Sequence, residues 1–314
     1  MAFGCDSRDS LAWREPSASG RLPTPMAQIR EIKKRMVAVG TIQRITKTMQ
    51  MIATAKFTAA VQRTRATQPY TEKIRELVAA VCSDPADLDH PLVGGDRPRS
   101  GRELLLVIGS DRGFCGAFNS NVLRNSLRYH RSRVAEGIEV QVETSGKKAS
   151  NFFKFAQIPV AQTHEIGDKP SFEDVSEVAD RFMDLFTAGE VDSVHVAYMR
   201  FESNSRQIAE IQQLLPLQAP ESDESGVSAS MYEFTPDEAT LLNDLLPRAI
   251  RTSLFQSYND AVVSEQIMRM IAMKAATDNA SSLGRTLKRD YNRARQARIT
   301  TELTEIVSGA AALA

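Results

Sequence analysis

The sequence contains no long hydrophobic run, few cysteines and no excess of charge of either sign. No stretch approaches the roughly 20 consecutive apolar residues of a membrane-spanning helix, so we expect any membrane role to be peripheral. The three cysteines, Cys5, Cys82 and Cys115, form no CxxC pair, and their odd number argues against a disulfide scaffold or a zinc site. Lys and Arg total 39, as do Asp and Glu, which excludes a bulk attraction to nucleic acid or anionic lipid.

Residues 1–25 lack the apolar segment of a secretory signal, and they contain acidic residues that a transit peptide avoids. Their content of Pro, Ser and Gly predicts a disordered extension. An alternative is a start codon assigned too far upstream, because Met26 begins a sequence of a different kind.

Two segments, residues 26–83 and 236–314, have the composition of long helices, the second interrupted near Pro247. The first has apolar residues three or four positions apart, which predicts a coiled-coil seam with an additional three-residue step beside Gly40. We expect the two helices to pair antiparallel, because neither is stable alone and a further domain lies between them in the chain. The predicted seam consists of Ile29, Ile32, Met36, Val39, Ile42, Ile45, Met49 and Ile52.

Residues 102–220 alternate between strand and helix patterns, which predicts a Rossmann-like, mainly parallel α/β domain. ELLLVIG, IEVQVET, IPVAQTH and DSVHVAYMRF are typical of strands, and SRQIAEIQQLLPL is a candidate edge strand. The fold class is therefore α/β, with a long antiparallel coiled coil of the N- and C-terminal helices and a central α/β domain.

Positive charge is concentrated on the helices although the whole chain is neutral. The segment from Arg30 to Arg65 contains nine basic residues and one acid, Glu31. We expect the basic residues to lie on the side of the helix opposite the seam. A second cluster, from Arg285 to Arg298, has six basic residues and one acid, Asp290. Such one-sided faces predict an acidic partner. Nucleic acid is a candidate in principle, although no aromatic residue interleaves the cations and no reading motif is present.

The loop GSDRGFCGAFN after the first strand has the layout of a phosphate-binding loop, with a cysteine where a nucleophile could sit. It lacks the Lys and Ser or Thr of a P-loop and the GxGxxG spacing, so we do not predict a nucleotide site. Cys115 has no histidine close to it in sequence to act as a base, which favours a small buried thiol. Glu143 has no evident partner, and no HxxxH or CxxC spacing indicates a metal. We therefore predict no catalytic, cofactor or metal residue.

Several motifs together resemble the gamma subunit of F-type ATP synthases. They are ITKTMQMIATAKF, SDRGFCGAFN, GDKPSFEDV, MKAATDNASSLG and YNRARQARITTELTEIVSGAAAL, in the family's order over residues 26–314. The resemblance implies a non-catalytic central rotor that couples proton flow to ATP synthesis or hydrolysis. Its partners would be the alpha and beta subunits of the catalytic hexamer, the epsilon subunit and the membrane proteolipid ring, at the cytoplasmic side of the cell membrane.

The resemblance also implies contacts with the beta subunits at Met49, Arg269, Arg295, Gln296 and Thr300. Arg298 and Thr301 depart from the smaller or amide residues expected there, and no cysteine pair near Asn204 provides a thiol switch. Two other functions remain as alternatives. One is a basic coiled-coil nucleic-acid-binding protein, which steep salt-dependent binding to DNA would favour, and the other is a small α/β enzyme with helical arms, which nucleotide binding would favour.

Overall fold

The computed structural model describes residues 25–81, 91–93, 100–217 and 238–313. Residues 1–24, the greater part of the expected disordered extension, lie outside these ranges. The chain divides into two compact units. The larger unit is Arg44–Thr277, and the smaller unit consists, among the described residues, of 25–43 and 278–313. The elements are α1 (Pro25–Val81), β1 (Arg102–Ile108), α2 (Phe118–Ala135), β2 (Glu139–Ser145), α3 (Lys147–Phe155), β3 (Val160–His164), α4 (Phe172–Thr187), β4 (Ser193–Phe201), β5 (Gln207–Leu215) and α5 (Glu238–Leu313).

The larger unit contains a five-stranded sheet in the order β3-β2-β1-β4-β5. The first four strands are parallel, as predicted, and β5 pairs antiparallel with β4. The candidate edge strand is therefore present at the edge of the sheet. The continuous apolar run of β1 is buried from Leu104 to Ile108, as a central parallel strand covered on both faces requires. The Rossmann-like α/β prediction is confirmed.

Helix α4 shows how local sequence defines an element of this domain. The side chain of Ser171 accepts a hydrogen bond from the backbone N–H of Asp174 at 3.1 Å and so caps the helix. Glu173 and Asp174 place negative charge in the first turn, which the helix dipole favours. The buried face carries Val175, Phe182 and Phe186.

Helix α5 is part of the same core, because Leu246, Ile250, Leu254 and Tyr258 pack with the strands and helices of the sheet. It continues through Pro247, so the predicted interruption at that residue is wrong. Helix α1 likewise continues through Pro69. No helix in the described part of the chain is long and apolar enough to cross a membrane.

Within the larger unit, α1 and α5 run antiparallel, as predicted. The hydroxyl of Thr277 donates to that of Thr46 at 2.8 Å, whereas Thr64 of α1 lies across a groove from Asp260 of α5. In the smaller unit the same helices pack closely at Gly284, where an added Cβ would lie 3.9 Å from Cγ1 of Val39.

The seam of α1 differs from the predicted one. Ile42, Ile45 and Ile52 are 51%, 53% and 53% exposed, so they do not lie between the helices. One series of buried and partly buried positions instead follows an uninterrupted spacing of three and four residues, and the predicted additional step beside Gly40 is wrong. These positions are Ile29, Ile32, Met36, Val39 and Gln43 in the smaller unit, and Thr46, Gln50, Ala53, Phe57, Ala60, Thr64, Thr67, Thr71 and Ile74 in the larger unit.

Candidate partner interface

The glycine-rich loop after β1 packs two strand ends together. The backbone N–H of Gly109 donates to Ser145 O at 2.8 Å, and Gly146, with φ of +95°, lies against the carbonyl of Gly109. A Cβ at Gly146 would collide with that carbonyl, so the glycine is required for close approach. The first N–H groups of α3 are already bonded, because Lys147 N donates to Asp111 Oδ1 at 3.1 Å and Lys148 N to Ser110 O at 3.0 Å.

Cys115 is a buried thiol in this loop. Its Sγ accepts a hydrogen bond from Asn119 Nδ2 at 3.2 Å and lies 3.8 Å from Ser110 Oγ. Neither neighbour is a base that could remove the thiol proton. The geometry is that of a sulfur packed in a tight turn.

Arg269 lies on α5 beside this loop, and its side chain is only 10% exposed. Its Nη2 is 2.5 Å from Oε1 of Glu265, and its Nη2 and Nε donate to the carbonyls of Arg112 and Gly113 at 3.3 and 3.4 Å. Burial raises the pKa of Glu265, and the neighbouring Arg269 opposes this rise. The guanidinium therefore binds within the chain.

A second ion pair fixes α1 to the loop that follows β3. Lys56 Nζ lies 2.5 Å from Asp168 Oδ2, in the GDKPSF segment. This hydrogen bond is the main cause that lowers the pKa of Asp168, and the charges of Arg112 and Arg269 contribute. The sequence placed Lys56 on a basic face opposite the seam, and the structure places it in a partly buried ion pair instead.

Met49 is partly buried on α1, between the exposed Ile45 and Ile52. These three residues are four and three positions apart and so share one face of the helix. A contiguous apolar stripe at the surface is typical of a protein contact.

Three of the predicted contact residues lie in the smaller unit, at the surface of α5. Arg295, Gln296 and Thr300 are all exposed, and the hydroxyl of Thr300 donates to Gln296 O at 3.1 Å. Residues 299–313 are exposed throughout and carry Ile299, Leu303, Ile306 and Val307. This part of the helix combines cationic and amide donors with an apolar surface.

The structure thus brings Arg295, Gln296 and Thr300 together in the smaller unit, whereas Met49 and Arg269 belong to the larger one. Sequence reasoning missed a buried charged cluster at Glu143. Arg181 Nη2 and Nη1 donate to its two oxygens at 2.5 and 2.9 Å, and His164 Nε2 lies 2.8 Å from Oε2. These partners oppose the effect of burial and lower the pKa of Glu143. The feature of the sequence that could have revealed this cluster is an acidic residue within a buried strand.

Comparisons of this chain with a family model, with related sequences and with solved structures all match ATP synthase proteins. The family model described as ATP synthase matches residues 28–313. The ATP synthase gamma chain of Leptospira biflexa is 39% identical over 290 residues, which cover 92% of this chain and 100% of that protein. The corresponding protein of Rhodopirellula baltica is 37% identical over 295 residues, covering 92% of this chain and 99% of its own.

Among solved structures, a chain of the Euglena gracilis mitochondrial ATP synthase (OSCP, F1 and c-ring, rotational state 3) has a similar fold. The TM-score is 0.64 at 21% identity, with 91% of this chain and 94% of that chain covered. A chain of the Tetrahymena thermophila mitochondrial ATP synthase central stalk and c-ring matches with a TM-score of 0.51 at 21% identity, covering 74% and 99%.

Proposed function

Because this chain belongs to the ATP synthase gamma chain family, we infer that it is the central-stalk rotor subunit of an F-type ATP synthase and is not itself catalytic. The observation that carries this conclusion is the match over residues 28–313, which spans both long helices and the α/β domain. No finding supports the alternative of a nucleic-acid-binding protein.

The partners follow from the rotor role. The alpha and beta subunits surround the helices, while the epsilon subunit and the membrane proteolipid ring bind the α/β domain. The complex translocates protons through its membrane ring, and this chain lies peripherally on the cytoplasmic side of the cell membrane. The basic clusters and the exposed apolar residues of α1 and α5 support a proteinaceous partner that offers both carboxylates and apolar surface.

An asymmetric rotor makes identical catalytic sites inequivalent. At each angle a different beta subunit meets the charged or the apolar side of the helices, so the contact free energy depends on the angle. Turning the rotor then shifts each site between its binding, reacting and releasing conformations. Met49, Arg295, Gln296 and Thr300 are the direct contacts in this proposal, and Arg269 acts at the same interface from its buried position.

Membrane isolation tests the assignment. A tagged chain purified from washed membranes of its own cells should carry with it the alpha, beta and epsilon subunits in fixed proportion. Recovery of the tagged chain without any of them would contradict the rotor role.

The contact at Arg295 and Gln296 has a separate test. Replacing both by Ala should slow ATP hydrolysis and ATP-driven proton pumping by about 10- to 100-fold, while the complex still assembles. The lost contact is worth about 1.5 to 3 kcal/mol in total, the range for a desolvated hydrogen bond to a charged group, and about 1.4 kcal/mol corresponds to a tenfold change in rate. Replacing Asn292 and Arg293 is the matched control, since it removes the same charge and the same amide type from an exposed position nearby. Unaltered rates in the first variant would remove these residues from the coupling contact.

A further inference from the structure

A groove of the larger unit lies between α1, the β4–β5 hairpin and α5. Its volume of about 560 Å³ falls within the range of small-molecule sites in proteins. Val61 of α1, Phe201 of β4 and Val263 of α5 contribute apolar surface to its lining. The rest of the lining is mainly polar, so the groove offers both an apolar wall and hydrogen-bonding groups.

Among the described residues, three carboxylates line this groove, and two of them already have a cationic partner. Arg200 Nε lies 2.8 Å from Oε2 of Glu210, and Arg206 Nε lies 2.8 Å from Oε2 of Glu202. Asp260 forms no such ion pair with any residue in the described ranges. It is therefore the carboxylate of the groove that lacks a cation.

Two hydrogen-bond acceptors of α5 are available beside each other in the groove. Gln256 Nε2 donates to Asp260 Oδ1 at 2.9 Å, so Oδ2 of the carboxylate remains able to accept. Oε1 of Gln256 is buried and has no hydrogen-bond partner in the part of the chain that the structure describes. A buried acceptor without a donor costs free energy, so a ligand with several N–H groups is favoured here.

The electrostatic environment of Asp260 favours a ligand that is positively charged. Burial raises the pKa of Asp260 to about 7, against the hydrogen bond from Gln256 and the charge of Arg200, while the charge of Glu210 adds to the rise. A cation beside the carboxylate would favour its ionised form. The other charged or titratable groups that line the groove are Arg65 of α1 and Tyr198, Arg200, Glu202 and Glu210 of the hairpin.

The geometry of the acceptors distinguishes between kinds of cation. The N–H groups of an ammonium diverge, so they can reach acceptors on two different side chains. A guanidinium presents a planar fork that matches both oxygens of one carboxylate, and Gln256 already occupies Oδ1 of Asp260. An inorganic ion would leave the apolar lining uncovered, whereas an alkyl chain would remove it from water.

We propose that this groove binds a small aliphatic primary amine, whose ammonium donates to Asp260 Oδ2 and Gln256 Oε1. The alkyl chain packs against the apolar lining from Val61, Phe201 and Val263. The bound amine thereby contacts α1, the hairpin and α5 at once. The site is independent of the proposed rotor role, because it lies entirely within the larger unit and needs no other subunit.

Binding of n-butylamine to the purified full chain at pH 8, measured by calorimetry at constant ionic strength, tests the site. The dissociation constant should be on the order of 1 mM, as expected for so small a ligand. The neutral analogue n-butanol has the same alkyl chain and should bind about tenfold more weakly or worse, because it carries no charge. Potassium ions should not displace the amine. Equal binding of n-butanol, or displacement by potassium, overturns the ammonium site.

Two carboxylate variants locate the bound amine. Asp260→Asn should weaken binding of n-butylamine at pH 8 by about tenfold or more, because the ammonium loses its counter-charge. Glu202→Gln is the matched control, since this carboxylate lines the same groove but already pairs with Arg206. Its dissociation constant should stay within about twofold of the parent. Unchanged binding in Asp260→Asn, or an equal loss in both variants, overturns the assignment to Asp260.

The pH dependence of binding gives a second readout. The affinity of the parent chain should fall about tenfold from pH 8 to pH 6, because Asp260, with a pKa of about 7, takes up a proton over this range. An alkylammonium stays protonated at both pH values, as a lysine side chain does. The weak residual binding of Asp260→Asn should not change with pH. A parent affinity that is constant over this range removes Asp260 as the counter-charge and overturns the proposal.

Discussion

Asp260 is an acidic residue of the larger unit in an environment that disfavours its charged form. It lies in a groove of about 560 Å³ between α1, the β4–β5 hairpin and α5. Burial raises its pKa to about 7, against the hydrogen bond from Gln256 and the charge of Arg200, while the charge of Glu210 adds to the rise. The folded-state pKa lies above the unfolded value near 3.9. The folded protein therefore holds this proton more tightly, and stability falls as the pH rises from about 4 to about 7.

Replacing Asp260 by Asn should stabilise the chain at pH 8 by on the order of 2 kcal/mol, because the amide carries no charge to desolvate. At pH 4 the two proteins should have nearly equal stability. Thermal unfolding of the purified chain at both pH values measures this. Asp180→Asn is the control, since that carboxylate pairs with Arg251 at 2.6 Å and its loss should not stabilise. Equal stability of Asp260→Asn and the parent at pH 8 would show that the carboxylate is solvated.

Glu143 illustrates what could not be predicted for single residues. Its partners His164 and Arg181 are 21 and 38 residues away in the chain. They reach it from β3 and α4, so the cluster depends on the order of the strands and on the placement of a helix. A pattern of residue types along the chain contains neither.

At the scale of elements, strands and helices were predictable because each has a local cause. The apolar run of β1, the capping Ser171 of α4 and the alternation of β5 all lie within a few residues of sequence. Pro247 was misleading because tertiary packing outweighs its local cost. Leu246 and Ile250 on either side of it are fully buried in the core, which holds α5 continuous there.

The prediction of the seam register was wrong for a different reason. Gln43, Thr46 and Gln50 occupy seam positions, and Thr46 bonds to Thr277 across the helices in the larger unit. A prediction from the spacing of apolar residues therefore assigns the nearby isoleucines to the seam, although they lie on the exposed side of α1. Their exposure shows that they do not take part in the pairing of α1 with α5.

The two registers predict opposite results for two charge substitutions. Ala53→Asp should destabilise the isolated chain by several kcal/mol, because Ala53 is buried in the seam and the new carboxylate would lose its water. Ile45→Asp should change the stability by less than about 0.5 kcal/mol, since the side chain stays in solvent. Circular dichroism during thermal unfolding compares them. Greater destabilisation by Ile45→Asp would restore the register with the additional step beside Gly40.

At the scale of the whole molecule, the function could be predicted from the order of long motifs. The geometry of the contacts with other subunits could not. Coupling depends on contacts that change with the rotor's angle, and such contacts exist only with the surrounding subunits. The candidate contacts on this chain include local basic clusters within a sequence of zero net charge. Arg269, which the resemblance assigns to such a contact, binds Glu265 and the carbonyl of Arg112 in the described part of its own chain.

Removal of residues 1–25 tests where the functional protein begins. The family match starts at residue 28, and 92% of this chain matches the Leptospira biflexa relative over 100% of that protein's length. A chain that starts at Met26 should therefore assemble into the complex with unaltered ATP hydrolysis and proton pumping. Its thermal stability should also stay within about 0.5 kcal/mol of the full chain, because no family element is removed.

A deletion to residue 36 is the contrasting variant. It removes the partly buried Ile29, Ile32 and Met36 from the seam, so it should lower both stability and assembly. Failure of the Met26 variant to assemble would assign the extension a role in the complex.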